Sequence, residues 1–120
     1  LVIARKNFET DPSEDHYIWY GRREAYLYRL NKAIDIFSEG LDQYPESYKL
    51  LRHRGHRYIS LRQFNKAIAD FEKAVLLMEG KEIEIEPDGQ PNKLNIPLSN
   101  TQFNVWYHLG LAHYLKGDFA

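Results

Sequence analysis

The sequence predicts an all-α fold in which antiparallel helix pairs stack on copies of themselves. Three observations carry that prediction: an internal period, apolar residues at helical spacing, and helix-start signals where the period opens each unit. One constant interval relates Gly21 to Gly55, Ala33 to Ala67, Ile34 to Ile68 and Phe37 to Phe71. Across it, Asn31-Lys32-Ala33-Ile34 returns as Asn65-Lys66-Ala67-Ile68.

The complete units are 14–45 and 46–79. Trp106-Tyr107-His108-Leu109-Gly110 opens a third, with Gly110 following Gly55 by one period plus the length of an insertion. Asp11-Pro12 precedes Tyr44-Pro45 by almost the same period, so residues 1–12 read as the remaining second helix of an earlier unit. Residues 80–101 are then an inserted loop and 102–120 the first helix of a truncated repeat, giving two full repeats with a partial one at each end. Both native ends are expected to lie outside the sequence, which starts at Leu1 rather than methionine.

The expected helices are 2–9, 14–28, 31–43, 47–61, 64–79 and 102–116. In the second helix of the second unit, Ala67, Ile68, Phe71, Ala74, Val75 and Met78 recur at three and four, the stripe of a helix with one buried face. Asp11-Pro12-Ser13-Glu14 starts the first unit and Ser47, after Pro45, the second. Ser99-Asn100-Thr101-Gln102 has the form of a capping box for the third. A short, tight turn joins the helices of each unit. The insertion alternates acidic and apolar residues over Glu82-Ile83-Glu84-Ile85-Glu86, then meets Pro87, Pro91 and Pro97, so it is not helical throughout.

Composition bounds the function. Apolar residues make up 43% and charged residues 28%, the mix of a folded domain. The net charge of −1 supplies no global field toward nucleic acid or an anionic surface, so any electrostatic recognition is local. The absence of cysteine removes disulfides, thiolate nucleophiles and cysteine metal sites. No apolar run reaches the roughly 20 residues that span a bilayer, and Leu1 to Lys6 lack the order of a signal peptide. No membrane partner is expected, and a cytoplasmic setting is slightly favoured.

Trp106-x-x-Leu109-Gly110, Gly55-x-x-Tyr58, Ala33-x-x-x-Phe37, Ala67-x-x-x-Phe71 and the closing Pro45 together resemble the tetratricopeptide repeat. The resemblance covers nearly all of the chain except residues 80–101, and similar arrays occur in bacterial proteins of no assigned activity. It implies a right-handed superhelical solenoid serving as an interaction scaffold, with Gly21 or Gly55 and Ala33 or Ala67 making room for Phe37 or Phe71. Three residues depart from the family's pattern: His113 and Glu24 stand at its usual tyrosine, and Arg54 where a leucine usually packs. Charges on two neighbouring helices suggest that Glu24 and Arg54 form a partly buried pair.

The resemblance also places a concave wall on the outward faces of the first helices. Helical spacing puts Ile18, Arg22 and Ala25 there from the first unit, Lys49, Arg52, His56 and Ser60 from the second, and Tyr107, Leu111 and Tyr114 from the third. Arg22, Lys49, Arg52 and His56 suit the carboxylates of an extended acidic peptide, and Tyr107, Leu111 and Tyr114 add flat contact area. The alternative is that these cations are solvated or paired between helices. The lysine and asparagine ladder that holds chaperone tails in some family members is not matched, because Ile18 and Arg22 stand where it would begin. The insertion is expected either to fold over this wall, with Glu84, Glu86 or Asp88 near Arg52 and His56, or to be an acidic spacer.

Other functions have less support. The pairs His53/His56 and His108/His113 lack carboxylate or cysteine support, and Arg52, Arg54 and Arg57 oppose a cation, so neither metal nor cofactor is expected. No nucleophile elbow or phosphate loop is present, and no catalysis is expected. The run Arg52-His53-Arg54-Gly55-His56-Arg57 raises RNA binding as a further alternative, but only Arg52 and His56 are expected to share the groove face. Residues 103–115, lacking a second helix, are expected to support a homodimer or helix exchange.

Overall fold

Short polar residues and the helix dipole set where the helices begin. Ser47 accepts a hydrogen bond from the Leu50 amide through its hydroxyl (3.1 Å), satisfying one of the donors a helix start leaves open. Glu14 and Asp15 occupy the first turn of the first described helix, where negative charge favours the dipole. The computed structural model describes residues 13–81 and 101–117. They form α1 (Glu14–Tyr26), α2 (Leu30–Gln43), α3 (Tyr48–Ser60), α4 (Phe64–Met78) and α5 (Thr101–Lys116), with no strand among the described residues. None of these helices is long and apolar enough to cross a membrane. The helix expected at 2–9, the insertion's proposed contacts over 82–100 and the capping residues Ser99 and Asn100 lie outside the described residues.

The links within α1–α2 and α3–α4 repeat the period in their backbone. Tyr28 and Arg62, one period apart, both take φ of 60°. Tyr28 and Arg29 donate to the carbonyls of Ala25 and Glu24 at 2.9 Å, while Arg62 and Gln63 donate to those of Ile59 and Tyr58 at 2.9 and 2.8 Å. This is the Schellman stop, which normally places glycine in the left-handed position. With tyrosine and arginine there, the two helices end slightly before the boundaries expected from the sequence, at Tyr26 and Ser60.

Each helix touches the next in sequence. In addition α1 touches α3 and α3 touches α5, whereas α2 and α4 do not meet. The first helix of each hairpin is therefore the common line of contact. Two apolar clusters follow: Tyr17, Ile18, Tyr20, Ala25, Ala33, Ile36, Phe37 and Leu50 fill the first, with Leu51, Ala67, Phe71, Met78, Val105 and Ala112 among those filling the second. Leu41 packs against both. The glycines of the repeat admit aromatic rings. A β-carbon at Gly55 would lie 2.8 Å from Phe71 Cζ, and one at Gly21 would overlap the Phe37 ring. Gly40 fits against Tyr17 and Leu50 in the same way. Gly110, at the corresponding place in α5, has nothing near it among the described residues.

The expected Glu24–Arg54 pair does not form. Glu24, 1% exposed, meets Arg29 at 3.2 Å and Lys32 at 3.4 Å. It faces the turn and the start of α2 rather than α3. Arg54 instead grips Asp70 of α4 with two hydrogen bonds, Nε to Oδ2 at 2.8 Å and Nη2 to Oδ1 at 2.7 Å, and donates from Nη1 to the Ser38 hydroxyl of α2 at 3.1 Å. A guanidinium fork matched to a carboxylate is geometrically specific. Here it ties the hairpin α3–α4 to α2.

Candidate functional site

Residues spaced by three and four on a helix share a face. Arg22, Ala25 and Tyr26 of α1 are one such set, and the pairs Arg52/His56 and His53/Arg57 form two adjacent rows on α3. These side chains, with Phe37 of α2, line a cavity of about 220 Å³ where α1 and α3 meet. Among the described residues, the lining holds three guanidiniums and two imidazoles and no carboxylate.

The cations are held in place by their neighbours. Arg22 Nη2 donates to the Tyr26 hydroxyl at 2.7 Å, and the guanidinium lies 4.7 Å from the Trp19 ring centre and 5.7 Å from that of Tyr26. Attraction to the aromatic faces favours that placement. Arg52 Nη1 lies 3.1 Å from His53 Nδ1. A guanidinium only donates, so His53 Nδ1 accepts and the imidazole carries its proton on Nε2.

Burial, reinforced by Arg52 and Arg22, pushes the His53 pKa well below its ordinary value. Burial, then Arg57 and His108, lowers that of His56 to about 3. Burial, then Arg52, also lowers that of Arg57. The common cause is burial, to which neighbouring positive charge adds.

A band of rings leads from the cavity to α5. His56 and His108 lie 4.5 Å apart between ring centres, Tyr107 meets His108 edge-on at 5.2 Å, and Phe103 stacks on Tyr107 at 6.2 Å. His108 Nδ1 donates to the Asn104 carbonyl at 2.8 Å. The interval from His53 to His108 equals the one from Gly55 to Gly110. Correspondingly, His53 stacks on Phe37 at 5.8 Å and His108 on Phe71 at 6.0 Å. These histidines are repeat positions that cover the phenylalanine of the preceding unit. Among the described residues no three His, Cys, Asp or Glu side chains gather as metal ligands would.

Of the residues expected on the binding face, Arg22, Arg52 and His56 come together in the cavity. Lys49 and Leu111 are half-buried and Tyr107 and Tyr114 exposed, and none of the four lines the cavity. Ile18 does not face outward: it is buried in the first cluster, among residues of α1, α2 and α3. Ala25 is buried yet lines the cavity, and Ser60 is exposed, its hydroxyl 3.3 Å from the His56 carbonyl.

Sequence spacing missed Tyr26, His53 and Arg57. Arg52 and His56 were expected to stand alone on the groove face, but the gap between α1 and α3 admits two adjacent rows of α3, and Arg57 joins them. The paired spacing 52/56 and 53/57 was the available signal. In comparison with known proteins, no family model and no curated protein matches this chain.

Proposed function

We propose that the chain is a tetratricopeptide-type array, a right-handed superhelical solenoid, whose first helices hold an acidic segment of another protein. The observation that supports this reading best is the cavity lined by Arg22, Arg52, Arg57, His53 and His56, with no carboxylate among the described residues of its lining. Gathering like charge costs electrostatic free energy, which an anionic ligand offsets. The contacts α1–α3 and α3–α5, with α2 and α4 apart, suit a curved stack with the first helices on its inner side.

Short peptides rich in glutamate should bind the purified chain with an affinity that falls as salt rises, and Arg52→Glu should weaken them by about tenfold or more. Binding that is indifferent to both salt and Arg52→Glu would refute the reading.

A second reading, self-association, is favoured by α5. Phe103, Trp106, Tyr107 and Tyr114 are each more than half exposed, beside a cavity lined by Val75, Met78, Glu79, Gln102 and Trp106. Exposed aromatic surface of this kind favours a partner helix. Sedimentation at rising concentration tests it: dimer formation lost in Trp106→Ser supports the reading, and a monomer throughout removes it.

A further inference from the structure

We infer that the groove between the end of α4 and the start of α5 is a site for an arginine side chain carried by a segment of another protein. It shares no residue with the basic cavity, takes the opposite charge and does not rest on the acidic-segment reading. Val75, Met78 and Glu79 from the end of α4 line it with Gln102 and Trp106 of α5, around a volume of about 410 Å³. Met78 is buried in the second apolar cluster and Val75 packs against it, so these two give the groove an apolar floor.

Three features of the groove attract a cation. Glu79 makes no hydrogen bond or ion pair among the described residues, and no lysine or arginine lines the groove beside it. α4 ends there with no base in its last turn, so its own side chains leave the negative end of the helix dipole unopposed. Trp106 is 57% exposed, with no cation over its ring among the described residues, and indole is the aromatic face that holds cations best. Its own helix offers it none nearby, because α5 carries no charged residue from Thr101 to Leu115.

A cation on a long apolar stem uses the whole groove, with the stem on Val75 and Met78 and the head between indole and carboxylate. Guanidinium suits that head position because it is planar, stacks on an aromatic face and forks onto a carboxylate, whereas an ammonium acts as a point charge. The same chain shows the pairing elsewhere: the Arg22 guanidinium lies 4.7 Å from the Trp19 ring centre. Phe103, one turn before Trp106 on the same face, is 60% exposed. It adds contact area beside the groove for the residues flanking an arginine, which favours a protein segment over a free guanidine.

NMR spectra of the full chain test the inference. The probes are blocked five-residue peptides with arginine, lysine or citrulline at the centre and leucine on each side, together with butylguanidine. The Trp106 indole N–H, assigned by its loss in Trp106→Leu, should shift to saturation with the arginine peptide while that of Trp19 stays in place. The arginine peptide should bind more tightly than the lysine peptide, and citrulline, of similar shape without the charge, should not saturate. Glu79→Gln should weaken the arginine peptide by roughly two- to fivefold, the range of an exposed ion pair. Trp106→Leu, read at the backbone amide of Glu79, should weaken it by a similar factor.

Equal binding of the arginine and citrulline peptides would overturn recognition of a cation. An affinity undiminished in both variants, or an equal shift at Trp19, would overturn the location. Butylguanidine binding as tightly as the arginine peptide would overturn the protein-borne source. A Trp106 signal that moves with protein concentration and not with peptide would assign the groove to a second copy of the chain and overturn the inference. None of these outcomes touches the acidic-segment reading, which is tested at Arg52.

Discussion

Three glycines at one repeat position should respond to alanine with different signs. Glycine to alanine in a helix interior gains about 1 kcal/mol from backbone preference alone. At Gly110 no described atom lies within 4 Å of the added methyl, so Gly110→Ala should stabilise by about that amount. At Gly55 the methyl would sit 2.8–3.0 Å from three atoms of the Phe71 ring, well inside the ~3.5–4.0 Å of a relaxed contact. Overpacking of this kind costs roughly 1–3 kcal/mol, so Gly55→Ala should come out near neutral or mildly destabilising. At Gly21 the methyl would overlap the Phe37 ring, a closer approach than the one at Gly55, so the ring must move further to admit it.

There the overpacking cost should reach or exceed the upper end of that range and leave a net loss of about 2 kcal/mol. Urea denaturation followed by far-UV circular dichroism gives the three values, provided the slope with denaturant is unchanged. Phe37→Leu added to Gly21→Ala should recover part of the loss, with a coupling of roughly 0.5–3 kcal/mol. A stabilising Gly21→Ala, or a destabilising Gly110→Ala, would refute the assignment of these glycines as ring-accepting positions in the first two hairpins only.

Tyr28→Gly should raise stability by about 1 kcal/mol, because a left-handed residue other than glycine is strained and Tyr28 is 89% exposed. The corresponding gain in Tm, roughly 4 °C, is read in a thermal melt, and a lowered Tm would count against the strained turn. Asp70→Leu should cost roughly 2–3 kcal/mol, less than a fully buried pair because Arg54 is partly exposed, and adding Arg54→Leu should recover much of it. Simple additivity in chemical denaturation would reject that coupling. Stability should also decline in mild acid. Below about 6.5 the unfolded imidazole of His56 binds a proton, whereas the folded one does so only near 3, so through that window the unfolded chain takes up more protons. The contribution of neutral His56 is complete above pH 6.5 and is lost as pH falls toward 3, and His53 acts in the same direction. Melting temperatures measured from neutral into mildly acidic buffer give this slope, and His56→Gln should flatten it; an identical slope in the variant would sink the explanation.

Local chemistry made the helices legible. Ser47, the three-and-four stripe of α4 and the returning Gly and Phe positions are covalent facts of the chain, and short-range sterics and hydrogen bonding act on them whatever lies nearby. The helix stops were less legible because Tyr28 and Arg62 do what glycine usually does, held by backbone hydrogen bonds rather than by their own preference. The cavity was half legible. Spacing placed Arg22, Arg52 and His56 on outward faces, but how wide the gap between α1 and α3 opens depends on rings such as Phe37 and His53.

By itself, then, the order of residues determined where helices form, which faces are apolar and which positions repeat. The tertiary arrangement decided the partners: Glu24 turned to Arg29 and Lys32, Arg54 to Asp70, and Arg57 into the cavity. The physical reason is reach. Helical periodicity fixes direction around one axis, whereas a long charged side chain goes to whichever opposite charge or opening the neighbouring helices bring within a few ångströms.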